Sequence, residues 1–214
     1  MDAPPGKGES MEEATTTDYP KWVSCRGDLQ VLIRPLETRD IDRHVHMLRA
    51  LPDADLAKLP CNVFDPTYPD QMRDEIENGS VRRLVAWVGN DAIVGSLALY
   101  LNSQRWYRHT AGVTQVTHPE YRRYGIGTVL FDEMLPLAKS LNIHKVFTEV
   151  SDMHKEGLSL LRSIGMKREG TLREHLVDKK GNFHDLYIYS ITTTSAWKGM
   201  LERAGEFARM SHRV

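Results

Sequence analysis

The sequence predicts an α/β domain built on one mixed β-sheet of about seven strands, with helices on both faces. Three observations predict it. Strand-like and helix-like segments interleave along residues 29–210 rather than segregating. The runs at 82–89 and 92–101 are β-branched and apolar and are joined at Asn90-Asp91, which marks an antiparallel hairpin. Residues 109–150 then read strand, glycine turn, helix, strand, and a strand reached through a helix returns parallel to the one before it.

Residues 1–21 are rich in Pro, Gly, Glu and Thr, which is too polar a mixture to offset its ordering entropy, so a mobile tail is expected there. The domain is expected over 22–192, with Trp22 and Val23 as its first docking residues, and a C-terminal helix and tail over 193–214. Residues 29–34 form a first strand that Pro35 ends. Thr38 or Asp40 then caps a helix running to about Leu51, with Ile41, Val45 and Leu48 on its buried stripe. Short helices are expected at 53–59, between Pro52 and Pro60, and at 69–78, closed by Gly79. After the hairpin, residues 109–117 form a strand, and Leu130, Met134, Leu137, Ala138 and Leu141 make one face of a helix. A strand at 145–150 and a helix at 155–164 follow, stopped by Gly165. Residues 166–177 form a long or broken strand, and 183–191 alternate as the last one. The final helix carries Trp197, Leu201, Ala204 and Ala208 on one stripe, which either packs on its own sheet or forms a homodimer contact.

At 214 residues, 41% apolar and 27% charged, the chain suits one ordinary globular domain. A net charge of −1 gives no basis for a nucleic-acid or anionic-membrane partner. No apolar run suggests a membrane span or a secretory signal. The two cysteines, Cys25 and Cys61, lie far apart and read as free thiols of a cytoplasmic protein.

Chemistry concentrates in Arg122-Arg-Tyr-Gly-Ile-Gly127. Gly125 and Gly127 allow a sharp turn and a close approach by a ligand. The free N–H groups of the helix start, with Arg122 and Arg123 beside them, make an anion site suited to a pyrophosphate. A dinucleotide fingerprint fails, because Leu130 stands where the third glycine would be, and no Gly-Lys-Ser/Thr follows for a Walker loop. The segment instead resembles the Arg/Gln-x-x-Gly-x-Gly/Ala signature of the GCN5-related N-acetyltransferases (GNAT), preceded by the usual strand and His118-Pro-Glu-Tyr121. The element order of residues 29–191 is also that of the family.

The resemblance implies acetyl-CoA as co-substrate and no metal. It places Gln115, Val116 and Thr117 along the pantetheine arm by backbone pairing. Arg122, Arg123, Tyr124, Gly125, Ile126, Gly127 and Thr128 wrap the pyrophosphate. The arm is expected between the strands of 109–117 and 145–150, which splay apart there. Leu160-Leu-Arg-Ser-Ile-Gly-Met166 resembles the family's Leu-Tyr-x-x-x-Gly-Phe, but Leu161 stands at the tyrosine that protonates the departing thiolate. His154 stands at the family's cofactor-contacting asparagine, either as a contact and acid or as a surface histidine. Glu149 is either the best carboxylate to deprotonate the amine or a solvent-facing strand residue, and Asp152 and Ser151 at the strand's end are weaker candidates. Tyr187 and Tyr189 are alternative acids or plain sheet residues.

These features predict an N-acetyltransferase acting on a primary amine of a small molecule or peptide. Leucine at 161 keeps a non-catalytic acetyl-CoA sensor as the alternative. Asp53, Asp55, Asp65, Asp70, Asp74 and Glu75 suggest an acidic rim favouring a cationic acceptor. The final turn, Lys179 to Asn182, leads into His184-Asp185, which is expected to be a structural pair, and the hairpin resembles that of bacterial members of the family.

Overall fold

Eight strands form the sheet in the computed structural model, which describes residues 19–211 apart from 57, 58, 60 and 90. The strands are β1 (Lys21–Ser24), β2 (Gln30–Pro35), β3 (Val81–Val88), β4 (Ala92–Leu101), β5 (Thr110–Thr117), β6 (Lys145–Ser151), β7 (Lys167–Val177) and β8 (Phe183–Thr192). The helices are α1 (Ile41–Arg49), α2 (Asp53–Leu56), α3 (Tyr68–Asn78), α4 (Ile126–Ser140), α5 (Lys155–Ser163) and α6 (Thr193–Ser211). The sheet order is β1-β2-β3-β4-β5-β6-β8-β7, and only the β5–β6 pair is parallel.

The added strand is β1, which begins within the segment expected to be a tail. Lys21 pairs opposite Ile33 of β2 and forms an ion pair with Glu133, while the Tyr19 hydroxyl donates to the Glu133 carbonyl. A four-residue strand with Trp22 exposed carries no alternation to announce it. Residues 1–18 of the expected tail lie outside the described residues.

Helices cover both faces of the sheet, so β3 and β4 are buried along most of their length. Leu84 and Ala86 join Leu130, Met134 and Ile164 on the face of α4, α5 and α6. Val85 and Trp87 join Ile41, Val45, Leu48 and Met72 on the face of α1 and α3. Val88 pairs with Ala92, so the β3–β4 connection is residues 89–91, one longer than expected, with Gly89 at φ 60°.

Asp40 does not cap α1 through its side chain. Its carboxylate instead takes a fork of two N–H groups from Arg34, at 2.5 and 2.8 Å. The expected stripe on α6 is rotated: Ala196 is fully buried and Trp197 and Met200 pack inward, whereas Leu201 and Ala204 are exposed. Arg203 of α6 pairs with Asp132 of α4, so the face that packs is set by the neighbouring helix as well as the sheet. Cys25 and Cys61 are both free.

Candidate active site

The parallel pair is short. β5 and β6 pair only over residues 110–112 and 145–147, and beyond that point the two strands separate. β5 stays pinned on its other side to β4, through Gly95 opposite Thr117, Ser96 opposite Val116 and Leu97 opposite Gln115. A bulge in β4 at Val94 accepts the His118 N–H at 2.8 Å and fixes the end of β5. The backbone edge of residues 113–117 that faces β6 is therefore left without a strand partner. This is the splayed cleft expected from the sequence.

At the end of that edge the chain turns into α4. Gly125 is its first flanking residue, at φ 89°, and Arg123 sits at φ 69°. The first hydrogen bond of the helix runs from Val129 N–H to the Gly125 carbonyl. The preceding N–H groups have no intrahelical acceptor, no side chain caps them, and no acidic residue stands in the first turn. Such a terminus holds partial positive charge toward the cleft.

Gly127 has a packing reason in addition to the one its spacing suggests. It lies inside the helix, and a Cβ there would come within 2.7 Å of the Gln115 amide nitrogen and 3.0 Å of Leu160. Its bareness makes room for two side chains. Ile126 and Val116 turn their side chains into the two cores and offer the cleft only backbone. The Gln115 amide nitrogen is buried without a partner. Thr117 lends its carbonyl to Arg122 Nε at 3.3 Å, and Thr128 is half-buried in the first turn of α4. Tyr124 is engaged from outside: its carbonyl accepts the Arg26 N–H at 2.9 Å, and its ring lies over Gly27.

Arg122 does not hang free. Its Nη2 meets Asp55 of α2 at 2.5 Å. Asp53, in the same short helix, meets Lys179 of the β7–β8 turn at 2.7 Å. Asp70 pairs with Arg73 and Glu75 with Arg83, and Asp65 accepts from the Thr67 backbone and hydroxyl. The acidic rim expected from composition is thus largely compensated by cations, which linear spacing does not reveal.

Glu149 is exposed and lies on the sheet face opposite Val146 and Val150, the face it shares with Thr114 and Val116. His154 precedes α5 and accepts the Leu158 N–H through its carbonyl, with its ring beside Gly157. On α5, Leu160 reaches Gly127 and Gln115, while Leu161 packs into the α4-side core. Tyr189 is buried there too, and Tyr187 packs against it with Arg168 over its ring. His184 and Asp185 do not pair with each other. His184 lies 3.5 Å from Asp152 and 3.4 Å from Asp178, and Asp185 accepts the Glu174 N–H. Ser151 Oγ accepts the Met153 N–H, so Ser151 and Asp152 both brace the exit of β6.

Comparison with known proteins points to the same chemistry as the motif resemblance. The model of the acetyltransferase (GNAT) family matches residues 49–166. The chain belongs to the GNAT acetyltransferase family. The probable N-acetyltransferase san of Drosophila melanogaster is 29% identical over 126 residues. That alignment covers 56% of this chain and 65% of the relative, so the chain spans just under two thirds of its length. The solved structure of smu.2055 from Streptococcus mutans UA159 superposes with a TM-score of 0.66 at 25% identity, over 75% of this chain and 98% of that one. A ribosomal-protein-S5-alanine acetyltransferase from Vibrio fischeri shares the fold at TM-score 0.65 and 16% identity, over 76% and 93% of the two chains.

The family's co-substrate fits these residues. The free β5 edge matches an amide-bearing arm, the α4 N-terminus matches a pyrophosphate, and the orphaned Gln115 amide lies where the two meet. Spacing alone did not reveal that Leu160, Asp55 and residues 26–27 meet the glycine turn and the start of α4 from other elements.

Proposed function

We propose that the chain is an N-acetyltransferase that moves an acetyl group from acetyl-CoA to a primary amine of a small molecule or peptide by direct attack. One observation carries this reading: the open edge of β5 leads straight into the uncapped N-terminus of α4. Acetyl-CoA supplies the acyl group as an activated thioester. Backbone groups of Gln115, Val116 and Thr117 hold the arm, and a β5 N–H faces the developing oxyanion. The N–H groups of residues 125–128, with Arg122 and Arg123, hold the pyrophosphate.

The acceptor amine enters on the face of Thr114 and Val116. Glu149 shares that face and takes the amine proton, directly or through water. His154, at the mouth of the cleft, contacts the arm and returns a proton to the leaving thiolate. Leu161 and Leu160 cannot do so.

That apolar pair favours a second reading, in which the chain senses acetyl-CoA without turning it over. Calorimetric titration with acetyl-CoA, followed by thiol release over a panel of amines and peptides, decides the matter. Binding with amine-dependent thiol release supports the enzyme. Binding with none above background supports the sensor, and no binding overturns both.

A further inference from the structure

Beneath α1, on the face where the acceptor would enter, lies a cavity of about 20 Å³ between helix and sheet. That is room for one water or one hydroxyl group. His44 lines it, is 2% exposed, and has no partner for either ring nitrogen. Four hydroxyl-bearing side chains share the wall, Tyr68 from α3, Ser96 and Tyr100 from β4, and Thr114 from β5, and apolar side chains such as Leu48, Leu59 and Val116 complete it. Arg83, also buried, closes one side, with its charge held by Glu75 at 2.7 Å and its guanidinium over the Tyr100 ring. Thr114 and Val116 line this cavity and also belong to the strand whose edge faces the cofactor cleft.

Building on the proposed acetyl transfer, we propose that this cavity selects the acceptor, and that it takes a hydroxyl carried on the carbon next to the amine-bearing carbon, as in an N-terminal serine. A neutral imidazole presents one N–H donor and one acceptor nitrogen, which together satisfy a single hydroxyl. An aliphatic group would bury His44 with both nitrogens unsatisfied, and a site built to hydrogen-bond rejects such an analogue strongly. A second cation would meet the Arg83 guanidinium at close range in a poorly solvated space. The compensated acidic rim offers it little in return.

The test uses the whole protein saturated with CoA. Binding of serinamide, leucinamide and lysinamide is measured by calorimetry, alongside acetyl transfer to peptides that differ only in an N-terminal Ser, Leu or Lys. Serinamide is expected to bind at least tenfold tighter than the other two, with the same order in kcat/KM. His44→Leu should abolish that preference with acetyl-CoA affinity unchanged, which also shows that the variant folds. His44→Asn, which keeps a donor and an acceptor, should retain part of it. Equal binding of serinamide and leucinamide by the wild-type protein overturns the inference, and the cavity then simply holds water. Serinamide preference without turnover on any peptide upholds the cavity and overturns acetyl transfer instead.

Discussion

Arg122 of the glycine turn and Asp55 of α2 are joined at 2.5 Å, which ties α2 to the turn proposed to hold the pyrophosphate. An arginine that is to hold a pyrophosphate must trade this carboxylate for it. Asp55→Asn is therefore expected to tighten acetyl-CoA binding, by up to about fivefold, since a partly exposed pair is worth about 1 kcal/mol or less. Arg122→Ala should weaken it, and more steeply at low salt. Calorimetry at two ionic strengths checks both, and weaker binding by Asp55→Asn would show that α2 supports the turn rather than competing for it.

Gly125 and Gly127 should fail in different ways. Gly125→Ala meets no atom within 4 Å but must hold φ 89°, a strain of about 1–2 kcal/mol. Gly127→Ala drives a methyl group into Gln115 and Leu160, and overpacking of this kind costs about 1–3 kcal/mol. Adding Leu160→Ala should recover part of the loss at Gly127 and none at Gly125. Urea denaturation of the single and double variants reads the coupling.

Glu149→Gln should lower kcat more than tenfold while leaving acetyl-CoA affinity unchanged, because the residue is exposed on the face proposed for the acceptor, apart from the turn proposed for the pyrophosphate. His154→Ala should lower both. Single-turnover and binding measurements on the two variants separate these outcomes.

His44 makes stability depend on pH. Burial, with the Arg83 charge added, pushes its imidazole down to about 3. The unfolded chain binds that proton at about 6.5. Between the two values the unfolded state holds more protons, so stability is full above about pH 6.5 and falls as pH drops toward 3. The loss from this group is about 2 kcal/mol at pH 5. In His44→Leu that part of the slope should vanish. Denaturant midpoints from pH 7 to pH 5 measure it, and equal slopes in the two proteins would place His44 in contact with water.

Asp40 acts at lower pH. Burial pushes its carboxyl up, but the Arg34 fork and the Glu37 amide outweigh this and leave it below the usual range. Its contribution is present above about pH 4 and is lost as pH falls through the depressed value. Asp40→Asn leaves Arg34 with only the more distant Glu37 carboxylate, 3.8 Å away, and should cost up to about 3 kcal/mol at pH 7. The gap to wild type should close below about pH 4 in thermal melts.

What could be read from the sequence was whatever is encoded locally. The period of α4, the β-branched runs of β3 and β4, and the φ that only glycine takes easily at Gly125 are properties of neighbouring residues, so they locate the sheet, the crossover and the anion turn. Strand β1 escaped because nothing in its four residues alternates, and the α6 face was misjudged because Asp132 and Trp197's neighbours on α4 set its rotation. Only the tertiary structure decided why Gly127 is bare, where Arg122 points and what surrounds His44. Each of those depends on side chains from separate elements, at distances where a hydrogen bond, an ion pair or a clash changes the energy, and no spacing along the chain carries that information.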